Sequence, residues 1–218
     1  LMAAEEPRPA GEKPMPEALK QITPDPKLPN VLLVGDSISI GYTLKVRALL
    51  KGKANVMRPG ENCGATTRGI DKIDLWLGDT KWDVVHFNFG AHDVKRFKTG
   101  DKKNFTSLEN YVKNLTDITR RIKAKSPAVI FATCTPVPPE IDDGNYLFDN
   151  ADVIRYNEAA RALMREQGVP VNDLYNLVYP VLSQYQRPRN VHFADKGSEF
   201  LAKQVAKFIE DALPKKEL

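Results

Sequence analysis

The stretch VLLVGDSISIGY, Val31 to Tyr42, decides how this chain is read. Four apolar residues run straight into Gly35-Asp36-Ser37, and an amphipathic segment follows. That pattern describes a buried strand that breaks abruptly into a helix. Ser37 at the break has two readings. It caps the helix by accepting a backbone N–H, or it stands exposed at the end of the strand to do chemistry.

Working outward, short apolar runs alternate with segments of helical period. Strands are expected at 31–35, 54–58, 83–90, 128–134 and 169–172, and helices at 40–50, 68–77, 108–124, 151–166 and 196–213. In the 108–124 segment Leu108, Val112, Leu115, Ile118 and Ile122 recur at spacings of three and four. Phe200, Leu201, Val205, Phe208 and Ile209 give the last helix its inner face. Strands separated by helices imply a parallel sheet covered on both faces, because parallel neighbours need a crossover. The expected fold class is a single-domain, three-layer α/β/α sandwich with about five parallel strands. Residues 1–29 carry Pro7, Pro9, Pro14, Pro16, Pro24, Pro26 and Pro29 with few large apolar groups. They read as an N-terminal arm, loose or lying across a domain that spans 30–218.

Composition narrows the function. At 218 residues, 42% hydrophobic and 28% charged, the chain suits one well-buried domain. The net charge of +4 is spread among acids instead of gathered, so no nucleic-acid footprint is expected. No apolar run reaches the roughly 18 residues that span a bilayer. Leu1-Met2-Ala3-Ala4 is either a cloning scar or the remnant of a removed leader, and a leader would favour a secreted or periplasmic location.

The unusual residues fall at the carboxyl ends of the expected strands, where ligands sit in such folds. Gly35-Asp36-Ser37 follows the first strand and Gly60-Glu61-Asn62-Cys63-Gly64 the second. Gly90-Ala91-His92-Asp93 ends the third, and Arg189-Asn190-Val191-His192 precedes the last helix. Serine, glycine and histidine on one edge suit acyl transfer. A serine hydroxyl needs an imidazole to take its proton, and an oxyanion needs fixed donors such as N–H groups beside glycine. His86, inside an apolar strand, reads as a core residue.

Taken together and in this order, these blocks resemble those of the SGNH, or GDSL-type, hydrolases, from about Asn30 to the C-terminus. The resemblance implies a flavodoxin-like sheet of order 2-1-3-4-5 and a serine esterase; no cofactor is expected, and no metal, because His92-Asp93 with the distant His192 lacks the ligand spacing of a structural site. It implies Ser37 as nucleophile and His192 as base. Oxyanion donors would be Ser37, Gly64 and His92, with Asp36, Asp93 and Arg189 as candidates for supporting roles. Two positions depart from the family pattern. His92 stands where an asparagine is usual, and imidazole can also donate one N–H. Arg189 stands where the triad aspartate is usual, three residues before His192. Three outcomes stay open: a Ser–His dyad resting on a backbone carbonyl, an acid recruited elsewhere, or a weakened relative.

In the implied strand order Cys63 and Cys134 lie about 14 Å apart, too far for a disulfide, so free thiols are expected. The resemblance implies a short acyl ester as substrate, acetyl on a carbohydrate. The local feature behind this is the polar and aromatic segment with Asp142, Asp143, Asn145, Tyr146 and Phe148. A thioesterase or lysophospholipase is the alternative among enzymes; a binding protein that lost catalysis is the alternative outside them.

Overall fold

The computed structural model describes residues 15–141, 144 and 146–215. In chain order the elements are β1 (Asn30–Val34), α1 (Ser37–Leu49), β2 (Asn55–Met57), α2 (Thr66–Leu77), β3 (Val84–Phe87), α3 (Ala91–Val94), β4 (Arg96–Phe97) and α4 (Leu108–Lys123). They continue with β5 (Ala128–Ala132), β6 (Tyr146–Leu147), α5 (Asn150–Glu166), β7 (Val171–Asn172), α6 (Leu174–Val178), α7 (Leu182–Tyr185) and α8 (Asp195–Ala212). Five strands form one parallel sheet in the order β2-β1-β3-β5-β7, as expected for this class; β4 and β6 make a separate antiparallel pair.

The alternation of side chains along a strand divides the core in two. Leu32 and Val34, Val85 and Phe87, and Val129 and Phe131 face the cluster packed by α2, α4 and α5. Val31 and Leu33, Val84, and Ile130 and Ala132 face the cluster packed by α1 and α8. A strand buried on both faces reads as an unbroken apolar run, which is why VLLV carries no polar alternation. The expected helices are present with ends shifted by at most three residues. The largest shift is at α1, which starts at Ser37 because Asp36, not Ser37, is its N-cap: the Asp36 carboxylate accepts from the Ile38 N–H at 2.9 Å. The short α3, α6 and α7 and the β4–β6 pair lack periodicity long enough to register in the sequence.

Residues 15–29 lie along the β2 edge. Asp25 N–H donates to Asn55 Oδ1 at 2.9 Å, and Asn55 Nδ2 donates to the carbonyls of Asp25 and Leu28. The side chain of Gln21 reaches the Arg58 carbonyl. Pro7, Pro9 and Pro14 lie outside the described residues. Among the described residues no helix is long and apolar enough to cross a membrane.

Two buried ionisable groups set opposite responses to acid. His86 is fully buried in β3, with Nε2 at 3.2 Å from Asn172 Nδ2, and burial pushes its pKa from 6.5 down to about 4. Asp93 in α3 accepts from Thr66 N–H at 3.1 Å and from Thr66 Oγ1; burial nevertheless raises it from 3.8 to about 6. The unfolded chain protonates His86 first, so stability falls as pH drops from 6.5 to 4. The folded chain protonates Asp93 first, so stability rises as pH drops from 6 to 3.8. Each contribution amounts to about 3 kcal/mol at full extent, and they nearly cancel. Chemical denaturation should therefore show a shallow profile for the parent between pH 6.5 and 4.5, and rising stability toward acid for His86→Leu. Parallel profiles would rule out His86 as the titrating group.

The carboxyl ends of β3 and β5 approach so closely that position 90 admits no side chain. Gly90 has φ 142°, and a Cβ there would sit 2.5 Å from Cys134 Sγ. Gly90→Ala should lower unfolding stability by about 2–4 kcal/mol, read from denaturant midpoints. A loss below about 0.5 kcal/mol would mean that the two strand ends separate freely.

Candidate active site

The loops that follow the parallel strands emerge on one edge, and they bring Ser37 and His192 together. Ser37 opens α1 directly after β1, and its Oγ lies 2.8 Å from His192 Nε2 across 155 positions of sequence. Both residues are half-buried and reach a common pocket of about 280 Å³, also lined by Ile38, Gly41 and Arg187. The two residues divide the work: Asp36 caps the helix, and the Ser37 hydroxyl is left for His192.

The partner of the other ring nitrogen is Asn190. Its Oδ1 lies 2.7 Å from His192 Nδ1 and also accepts the backbone N–H of His192 at 2.9 Å. A backbone N–H only donates, so the Asn190 atom facing it is the carbonyl oxygen. That same oxygen requires a hydrogen on Nδ1. With Nδ1 protonated, Nε2 of the neutral ring carries the lone pair, and the Ser37 hydroxyl donates to it. The arrangement can therefore take a proton from the serine.

Residue 189, where the family pattern has its acid, does not partner the imidazole. Arg189 is exposed, with φ 54°, a conformation that costs a non-glycine residue about 1 kcal/mol or more. The left-handed residue turns the chain so that the next side chain, Asn190, folds back on His192. The turn is closed by Asn190 N–H to the Arg187 carbonyl at 3.3 Å and Arg187 N–H to the His192 carbonyl at 2.9 Å. Buried Gln186 ties it to the sheet, donating to the carbonyls of Pro136 and Val191. The imidazole rests on neither a backbone carbonyl nor an acid recruited elsewhere: the side-chain amide oxygen of Asn190 holds its Nδ1. The missed signal was Asn-x-His itself, since an asparagine side chain readily accepts the N–H two residues on.

Gly64 N–H donates to Asn62 Oδ1 at 2.9 Å, so this donor is held in place but engaged. His92 sits in α3, half-buried, directly after the tight turn at Gly90 and Ala91. Asp93 does not reach the Ser37–His192 pair; its carboxylate grips Thr66 at the start of α2 and so anchors the loop that carries Gly64. Asp195 is exposed and paired with Lys45 at 2.6 Å.

A residue without any motif ties the edge together. Arg58 is buried at the end of β2, donating to Ser39 Oγ at 3.0 Å, Thr43 Oγ1 at 2.9 Å and the Gly35 carbonyl at 3.1 Å. Burial pulls its pKa below the ordinary value against the attraction of Cys63, Tyr42 and Asp36. Nearby Glu61 accepts from Trp76, Lys72 and Arg68. Burial opposes ionisation, but these hydrogen bonds outweigh it and bring the carboxyl down to about 2. Cys63 and Cys134 are buried and free; desolvation raises both thiols, Cys63 to about 11.

A larger cleft of about 1150 Å³ opens beside the pair and shares Arg187 with its pocket. Val137, Leu147, Phe148 and Tyr179 line it together with Asn150 and Gln186. Asp142, Asp143 and Asn145, expected at the substrate, lie outside the described residues.

Among curated proteins none matches the sequence. The structure is similar to an acetyl xylan esterase, AlAXEase (TM-score 0.68, 18% identity, 83% of this chain and 99% of that one covered). It is similar to the lipase/acylhydrolase from Enterococcus faecalis (0.67, 22%, 87% and 100%), and to Axe2, an acetylxylan esterase from Geobacillus stearothermophilus (0.67, 18%, 83% and 94%). At these identities the likeness concerns the fold. The model of the GDSL-like lipase/acylhydrolase family matches residues 33–200. The chain belongs to that family and is a carboxylic ester hydrolase.

Proposed function

We propose that the protein is a serine esterase that removes short acyl groups, acetyl above all, from a carbohydrate. The observation that carries the mechanism is the chain Ser37 Oγ, His192 Nε2, His192 Nδ1, Asn190 Oδ1, with contacts of 2.8 and 2.7 Å. Ser37 attacks the ester carbonyl as its proton passes to His192 Nε2. The imidazolium keeps its Nδ1–H on Asn190, and the Nε2 proton then goes to the departing alcohol. Water repeats the sequence on the acyl-enzyme. The oxyanion is held by the N–H groups of Ser37 and Gly64 and by His92, the Gly64 donor turning from Asn62 as charge develops. Arg58 fixes the Gly35 carbonyl and α1 behind the nucleophile, and Asp93 fixes the loop of Gly64. Asn190 does the orienting work of the family's aspartate without its charge.

The carbohydrate half of the reading is supported by the cleft, whose walls mix aromatic and aliphatic groups with amides in place of one continuous apolar lining. Two of the fold neighbours are acetyl xylan esterases.

Activity on 4-nitrophenyl acetate tests the mechanism. Ser37→Ala should abolish it, and Asn190→Ala should lower kcat by about 10²- to 10⁴-fold through loss of the ring orientation, whereas Asn190→Asp should raise kcat. A parent enzyme whose Ser37 resists a fluorophosphonate would identify a binding protein instead. The substrate half is tested by acyl length: kcat/KM should fall at least about ten-fold from acetate to octanoate esters. Faster cleavage of the longer chain would refute the short-acyl assignment.

A further inference from the structure

The cleft beside the Ser37–His192 pair has a charge pattern that a neutral saccharide does not require. Four of its lining residues are cationic: Arg96, Lys102, Arg187 and Arg189. Arg96 is neutralised by buried Asp152. Among the described residues Lys102, Arg187 and Arg189 form no ion pair, although Lys103, next to Lys102, pairs with Asp101. The one described carboxylate of the lining, Asp149, accepts the Ala151 N–H as the cap of α5.

The backbone adds a second observation, although the turn at Arg189 also brings Asn190 onto His192. Only two non-glycine residues among those described have positive φ, Lys102 at 51° and Arg189 at 54°. Both are cations, and both line this cleft. Glycine or asparagine is the ordinary occupant of such a conformation. Strain of this kind persists and clusters where a site uses it. Two long cations at strained positions, lining one cavity that shares Arg187 with the Ser37–His192 pocket, indicate a ligand that is negatively charged.

We infer that this cleft binds the anionic part of the ester's alcohol moiety, an acidic saccharide whose carboxylate or sulfate groups meet Lys102, Arg187 and Arg189. The inference rests on the esterase reading and narrows its substrate class. Arginine forks bind either oxyanion in a bidentate manner. The cleft is open to solvent, so the attraction is screened by salt.

Two acetylated substrates test this with the whole enzyme: an acetylated oligogalacturonide and an acetylated xylo-oligosaccharide of equal length. kcat/KM should favour the acidic one by about ten-fold or more at low ionic strength, mainly through KM, and the preference should shrink several-fold at 0.5 M NaCl. Arg189→Gly relieves the strained backbone, so the fold should be kept or stabilised while the acidic-to-neutral ratio falls by about five-fold; Lys102→Gly should act in the same direction. Deacetylated oligogalacturonide and a sulfated galactan oligosaccharide, each as an inhibitor of acetylated xylo-oligosaccharide hydrolysis, distinguish the two anions. Equal kcat/KM for the acidic and neutral substrates, or a preference unmoved by salt and by both variants, would overturn the inference. Hydrolysis of 4-nitrophenyl acetate keeps that failure separate from failure of the esterase reading itself.

Discussion

Five strands that run the same way deliver the loops after them to the same edge, and the rest of the molecule depends on that constraint. Ser37 and His192 are 155 positions apart, yet they meet at 2.8 Å because β1 and the loops beyond β7 reach that edge. The same geometry places Gly64 after β2 and His92 after β3. Burial of both sheet faces then leaves the carboxyl edge as the place where polar backbone and side chains can gather without a desolvation penalty.

Polar clasps under that edge hold the loops in register. Arg58 joins the turn before Ser37 to the body of α1, and Asp93 joins α3 to the start of α2. Each is buried and each has neutral hydrogen-bonding partners. Removing a partner would strand a charge in the interior, which is more damaging than losing a surface pair. Precision at the edge is thus set from below, by side chains that never meet the solvent.

Much of this was legible in the sequence. The unbroken VLLV run, the helical spacing in 108–124 and the glycine-bearing blocks at strand ends were enough to expect the parallel sandwich and to single out Ser37 and His192. The third member of the hydrogen-bonded chain was not legible, because a motif read by position points at residue 189 while the backbone puts residue 190 there. A single left-handed residue makes the difference, and φ is not written in the sequence for an arginine. Arg58 was hidden for another reason: a charged residue after a strand normally reads as surface, and only the packed structure reveals it to be interior. The short elements between Leu174 and Tyr185 escaped because four or five residues hold too little periodicity to separate helix from loop.

The two cysteines carry a consequence for where such a molecule can operate. Both sit beneath the edge, without a disulfide, and burial keeps them in the thiol form. A thiol that is neither exposed nor ionised reacts slowly with oxidants and with other disulfides. The fold therefore makes no demand on the redox state of its surroundings.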